Sequence, residues 1–170
     1  MLKNFVKEGQ KLPLYGIGPY LIYSIILLDI IAIVVFGYVL KIGIMDGIWT
    51  WVFRVAGIVL MPLGVFIWYK GALGSDMDNN IAENKLKTTG VYAWVRNPMY
   101  SGIWFLITGI SLMWHNVLIL PLILIDWIIM SIVLKNTEEK WLLDLYGQEY
   151  TEYKKRVNRS IPWFPKGQSN

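Results

Sequence analysis

Apolar and polar positions fall in long blocks along this chain. One nearly continuous apolar stretch runs from Tyr15 to Leu40 and a second from Ile48 to Tyr69. A bilayer's hydrocarbon core is about 30 Å thick and takes about 20 helical residues to cross, so each stretch predicts a transmembrane helix. The third stretch, Met99 to Leu134, is too long for one crossing. It divides best at His115-Asn116 into Met99–Trp114 and Val117–Leu134, two short helices expected to form a tight hairpin with little tilt. The fold class that follows is all-α integral membrane, with about four transmembrane helices and no Rossmann domain. The first stretch is too long for the core of a signal peptide and no small-residue cleavage site follows it, so it is expected to remain in the membrane.

Two polar segments remain. Lys70–Asn97 is a connection of more than twenty residues, a length that usually carries function. Lys135–Asn170 begins as a charged helix with an apolar face at Leu142, Leu143, Leu145 and Tyr146, and Gly147 should stop it. A second amphipathic helix over Gln148–Val157 is expected along the membrane surface, with Ile161-Pro162 ending the ordered chain. Residues 1–72 read as a two-span N-terminal region. Residues 73–170 read as the hairpin with its cytoplasmic loop and C-terminal helices.

Charge orients this plan. Of sixteen basic residues, all but Lys41 and Arg54 fall on one side if both termini are cytoplasmic, as the positive-inside rule favours. Composition agrees with a lipid solvent: 55% of residues are hydrophobic and only 16% charged, against roughly 25% charged in soluble domains. Nine Trp and ten Tyr suit headgroup-level anchoring. The net charge of +4 does not indicate nucleic acid, because no basic stripe is interleaved with aromatics. The lack of cysteine excludes disulfides and thiolate chemistry, and the single histidine, His115, argues against a metal site.

Three charges, Asp29, Arg54 and Asp126, lie inside spans, where unpaired charge is costly. Asp29 and Arg54 fall on adjacent antiparallel spans at depths that a long arginine can bridge, which predicts an ion pair. Elsewhere, Pro98 suits the first turn of a helix whose free N–H groups favour a carboxylate. Glu138 and Glu139 stand just past the last span.

The order of motifs says more than any one of them. Gly90-x-Tyr92 leads to Arg96-Asn97-Pro98-Met99-Tyr100, which opens the hairpin. Glu138-Glu139-x-x-Leu142 closes it, followed by Gly147-Gln148-Glu149-Tyr150, Tyr153, Val157 and Ile161-Pro162. From about Leu73 to Pro162 this resembles the isoprenylcysteine carboxyl methyltransferase family and, more loosely, the membrane phospholipid methyltransferases. The resemblance implies methyl transfer from S-adenosylmethionine to a lipophilic or lipidated acceptor drawn from membrane lipid. It also implies cofactor contacts at Asn84, Lys85, Leu86, Lys87, Tyr92, Asn97, Pro98, Met99, Tyr100 and Glu138, with Asn97, Tyr100 and Glu138 at the catalytic centre.

Chemistry supports those positions. A carboxylate, Glu138 with Glu139 beside it, can meet a cationic group. Lys87 or Arg96 can meet a carboxylate, and Tyr92, Trp94 and Tyr100 can pack an adenine. Two positions depart from the family. Its histidine is Asn97 here, and its arginine four residues before the first glutamate is Leu134, which leaves Lys135 as the nearest cation to a bound substrate. Membrane sterol reductases using NADPH share part of the pattern, but the adjacent glutamates and the short chain speak against them. A non-enzymatic membrane scaffold is the other alternative.

Overall fold

The structure is a computed structural model that describes residues 16–75, 80 and 83–166. Lys3, Lys7 and Lys11, which contribute to the expected orientation, lie outside the described residues. Helix α1 covers Gly18–Ala32 and continues as π-helix over Ile33–Val39. Its last turns follow an i→i+5 pattern, as in the 2.8 Å bond from the Leu40 amide to the Val35 carbonyl. Helix α2 is Ile48–Ala72, α3 is Pro98–Leu112, α4 is Leu120–Asn136, α5 is Glu138–Tyr146 and α6 is Gln148–Arg156. There is no β-strand among the described residues, only the isolated bridges Ile44–Asn116 and Val95–Asn158. This agrees with the expected all-α class.

Three segments are long and apolar enough to cross a membrane: Gly18–Val39, Ile48–Ala72 and Leu120–Tyr146. The chain is a multi-pass membrane protein. The third helix of the expected four is shorter than a full crossing, with 15 residues in Pro98–Leu112, or about 22 Å of rise. Proline at its first turn and the Met113–Ile119 turns at its other end fix that length. The predicted break at His115-Asn116 is present. The Asn116 side chain holds it, accepting from the Leu118 amide (2.9 Å) and donating to the Ile42 carbonyl (2.8 Å). The Val117 amide also bonds the Gly43 carbonyl (2.8 Å). The two loops at this end are thereby tied together.

The strongest packing is α2 against α3, and glycine makes it possible. A Cβ built on Gly57 would lie 2.5 Å from the Gly109 carbonyl oxygen, and one on Gly64 would lie 2.5 Å from that of Gly102. The helices approach backbone to backbone, the mode lipid favours because apolar side chains gain little by leaving it. The last step of this stripe seats Gly71 on Pro98. Helix α1 closes the third side, with Leu21 and Ile25 packed with Tyr100, Ile107, Met130 and Leu134.

The intramembrane charges pair differently from expectation. Asp29 accepts a hydrogen bond from Ser111 of α3 (3.1 Å) and lies against Asp126 of α4. Arg54 enters no ion pair among the described residues. Asp29 faces inward from α1, buried, whereas Arg54 is half-buried on α2, so the two do not meet.

Thr137 alone separates α4 from α5, its amide and hydroxyl both bonding the Val133 carbonyl oxygen (3.0 and 2.7 Å). Gly147 ends α5 as expected; its φ of +54° and ψ of −118° are open to glycine and strained for other residues. Helix α6 follows within one residue of the predicted Gln148–Val157. The ordered chain does not stop at Ile161-Pro162 but continues to Lys166, because Trp163 and Lys166 donate amide bonds to the Trp94 and Arg156 carbonyls.

Candidate active site

The two ends of the family-like motif meet at the mouth of the α3–α4 hairpin. The chain enters α3 through a short 3-10 turn, Gly90–Ala93. Tyr92 in that turn is buried. Its hydroxyl donates to the Gly71 carbonyl at the end of α2 (3.2 Å), and its own carbonyl accepts the Tyr153 hydroxyl of α6 (2.6 Å). Burial pushes the Tyr92 hydroxyl well above the usual phenol range, so it remains a donor at physiological pH. Residues 95–97 then lie alongside 158–159, through bonds from the Arg96 amide to the Asn158 carbonyl (2.8 Å) and from the Asn97 amide to the Arg159 carbonyl (3.1 Å).

Asn97 is buried but does not cap α3 with its side chain. Its Nδ2 donates to the Arg159 carbonyl (3.1 Å), while its own carbonyl accepts both the amide and the hydroxyl of Ser101. This is a positioning role that a neutral amide fills without titrating. Tyr100, one turn on, donates its hydroxyl to Glu138 Oε1 in a short contact. The Ile17 amide donates to the same oxygen (3.2 Å), and Gly16 is packed on that carboxylate. The start of α1 thus closes over the Tyr100–Glu138 pair.

The adjacent glutamates have opposite surroundings. Glu139 is buried and holds two guanidinium groups. Arg96 Nη2 lies 3.0 Å from its Oε1, and Arg159 binds both its oxygens at 2.7 and 3.0 Å. The hydrogen bond to Glu139 raises the Arg159 guanidinium's already high pKa, so the arginine stays charged. Glu138 enters no ion pair among the described residues. Among the described residues its carboxylate meets a phenol and a backbone amide. Arg96, with its side chain only 6% exposed, keeps Nε and Nη1 without hydrogen-bond partners among the described residues. Its guanidinium stands 6.0 Å from the Tyr150 ring centroid, and Ser160 Oγ is likewise buried with no hydrogen-bond partner among the described residues.

Other predicted site residues are more dispersed. Pro98 is buried on Gly71 and Met99 is half-buried. Leu86 packs on Tyr150, Tyr153 and Val157. Lys87 is half-buried, and Asn84 sits at a turn with φ of +54°. Lys85 is on the surface, paired with Glu83 at 2.6 Å. Trp94 is exposed and stacks on Phe164, away from Tyr100. Leu134 is wholly buried in the core beneath Tyr100, and Lys135 is exposed.

A shallow apolar recess adjoins the site within the membrane-spanning region. Leu21 and Ile25 of α1, Tyr100, Ile103 and Ile107 of α3, and Met130 of α4 line it. Sequence reasoning gave no role to Tyr150 and Tyr153, although both stand in the Gly147-to-Pro162 motif, and it missed Arg159 and Gly71, the first of which stood out only as one more basic position.

The phospholipid methyltransferase family model matches residues 31–149, most of the chain, including the Gly90–Ala93 turn, α3, α4 and α5. The chain belongs to the phospholipid methyltransferase family. It is 36% identical over 83 residues to a protein-S-isoprenylcysteine O-methyltransferase of Saccharomyces cerevisiae, covering 48% of this chain and 34% of the relative. The human protein of that name is 33% identical over 126 residues, covering 67% and 42%. Methanethiol S-methyltransferase 1 of Bradyrhizobium diazoefficiens is 35% identical over 79 residues, covering 46% and 27%. The matches therefore span between 27% and 42% of the length of these relatives. The resemblance read from the motifs is borne out. No solved structure matches the chain.

Proposed function

We propose that this protein is a membrane-embedded methyltransferase that uses S-adenosylmethionine and acts on a lipophilic acceptor at the cytoplasmic mouth of its helices. The observation that carries the reading is the contrast between the two glutamates. A carboxylate withdrawn from water is costly without a positive partner. Glu139 has two such partners and Glu138 has none among the described residues. Glu138 is thus suited to a positive ligand, while Arg96, whose Nε and Nη1 have no hydrogen-bond partner among the described residues, has single donors left for a carboxylate. A sulfonium amino acid carries both charges, and the residues present fit it. Glu138 would hold the cationic part and Arg96 the carboxylate, with Tyr92, Asn97 and Tyr100 shaping the wall.

When bound, S-adenosylmethionine supplies an electrophilic methyl group that needs no activation. The chain's part is alignment and exclusion of water. Tyr100 and the Ile17 amide fix the Glu138 carboxylate. Asn97 and Arg159 fix the chain leading into α3. The recess beside Tyr100 is suited to an acceptor's apolar part arriving from the bilayer. The family match over 31–149 and the relatives' names support this reading.

Titration calorimetry on protein in detergent or nanodiscs tests it, with S-adenosylmethionine and NADPH as ligands. S-adenosylmethionine is expected to bind and NADPH not. Binding of NADPH alone would replace this reading with a reductase, and binding of neither would favour a scaffold.

A further inference from the structure

Beyond α6 the chain turns back toward the start of α3. The Trp163 amide donates to the Trp94 carbonyl (3.1 Å) and the Lys166 amide to the Arg156 carbonyl (2.9 Å). These two bonds set Phe164 against Trp94, with centroids 4.9 Å apart and planes tilted 47°, and Trp163 edge-on to Phe164 at 6.4 Å and 80°. All three rings are held in place yet face outward, with Trp94 43%, Trp163 63% and Phe164 68% exposed. Trp94 precedes Pro98, the first residue of α3, by four positions, and four residues reach at most about 14 Å. The rings therefore stand close to the membrane boundary, where amphipathic aromatics are favoured.

Basic residues adjoin the rings. Lys154, Lys155 and Arg156 form the last turn of α6, and the backbone bond at Arg156 brings Lys166 beside them. Lys155 is matched by Glu152 at 2.7 Å. Lys154, Arg156 and Lys166 enter no ion pair among the described residues, and all are exposed. The acidic groups of the same helix are Glu149 and Glu152. Outward aromatic rings joined to unpaired cations at the membrane boundary match the chemistry of a bilayer surface with anionic headgroups.

We propose that Trp94, Trp163 and Phe164, with Lys154, Arg156 and Lys166, form an interfacial anchor for anionic phospholipid headgroups that holds the segment carrying Arg159 in place. Asn158 and Arg159 lie between α6 and the rings, and they pair with Arg96, Asn97 and Glu139. The anchor clamps both ends of that segment, so its engagement with lipid reaches the ion cluster directly. This inference does not depend on the methyltransferase reading.

Hydrogen exchange of the full chain reconstituted in phosphatidylcholine vesicles, with and without phosphatidylglycerol, tests it. The amides of 158–166 are expected to exchange about tenfold more slowly in the anionic vesicles, since each basic side chain near such a surface contributes to binding. High salt is expected to erase that difference. The triple variant Lys154→Gln, Arg156→Gln, Lys166→Gln should exchange alike in both lipids. Trp163→Ala with Phe164→Ala should exchange faster in both. Equal exchange of the wild-type protein in the two lipids overturns the proposal, as does protection that appears only when soluble cytoplasmic proteins are added. The wild-type salt series decides between these outcomes even where a variant fails to fold.

Discussion

Glu138 and Glu139 are neighbours in sequence with separate tasks, and a single substitution at each distinguishes them. Glu138→Gln keeps the size and the hydrogen bond from Tyr100 but removes the charge that no cation among the described residues balances. S-adenosylmethionine binding should weaken by about 1.5–3 kcal/mol, the scale of a hydrogen bond to a charged group, with the thermal midpoint held. Glu139→Gln should do the reverse. It leaves Arg96 and Arg159 facing each other in a largely buried site, and breaking such an arrangement costs about 3–5 kcal/mol, so the midpoint should fall sharply in a detergent melt. Equal effects of the two variants on both readouts would show that the glutamates act as one unit. The Glu138-Glu139 pair was legible in the sequence because the residue types and their place after an apolar run are local facts. Their division of labour was not. It depends on Arg159, twenty residues further on, and on the Ile17 amide, which contributes backbone alone and leaves no mark in side-chain chemistry.

At the level of helices, apolar length was a reliable guide because lipid imposes one length scale on every crossing. The break at His115-Asn116 and the stop at Gly147 were legible for the same local reason: a polar pair in an apolar run, and a residue free to adopt positive φ. The Asp29–Arg54 pair was misread, since span and depth do not fix which face of a helix points inward. What selected the faces was glycine. Gly57, Gly64 and Gly71 recur every seven residues on α2 and meet Gly109, Gly102 and Pro98 of α3. Gly102→Ala places a Cβ 2.5 Å from the Trp68 amide nitrogen and 2.6 Å from the Gly64 carbonyl oxygen, so the backbones must separate. The expected loss is about 1–3 kcal/mol, as for overpacking elsewhere, read as a lower melting midpoint. Gly74→Ala, whose Cβ would have ordinary 3.4 Å contacts to Lys70, is the control and should melt like wild type. Because Gly71 of the same stripe supports both Pro98 and the Tyr92 hydroxyl, separating α2 from α3 should also weaken cofactor binding.

Taken whole, the molecule puts a charged mouth at one end of an apolar frame and ties the other end shut through Asn116. Reporter fusions at Gly43 and Asn116 should read as external and fusions after Asn170 as cytoplasmic, the side where S-adenosylmethionine is made. An external C-terminus would place the mouth on the wrong side of the membrane. The same frame constrains the acceptor. In the reading proposed above, an acceptor whose apolar part lies along the recess between α1, α3 and α4 would bring its reactive group near Tyr100 and Glu138. A free carboxylate there would face the negative charge of Glu138, and a carboxylate leaving water needs a cation. Leu134 is wholly buried and apolar, and Lys135 is exposed, about 100° further round the helix. Arg159 is committed to Glu139, and the free donors of Arg96 are the ones assigned to the cofactor. Prenylcysteine carboxylates should therefore be methylated weakly or not at all, and lipophilic thiols, amines or neutral lipids more readily. Labelled S-adenosylmethionine with a panel of these acceptors measures the order directly. Efficient turnover of farnesylcysteine would refute it, and loss of that turnover in Lys135→Ala would identify the exposed lysine as the cation this geometry leaves out.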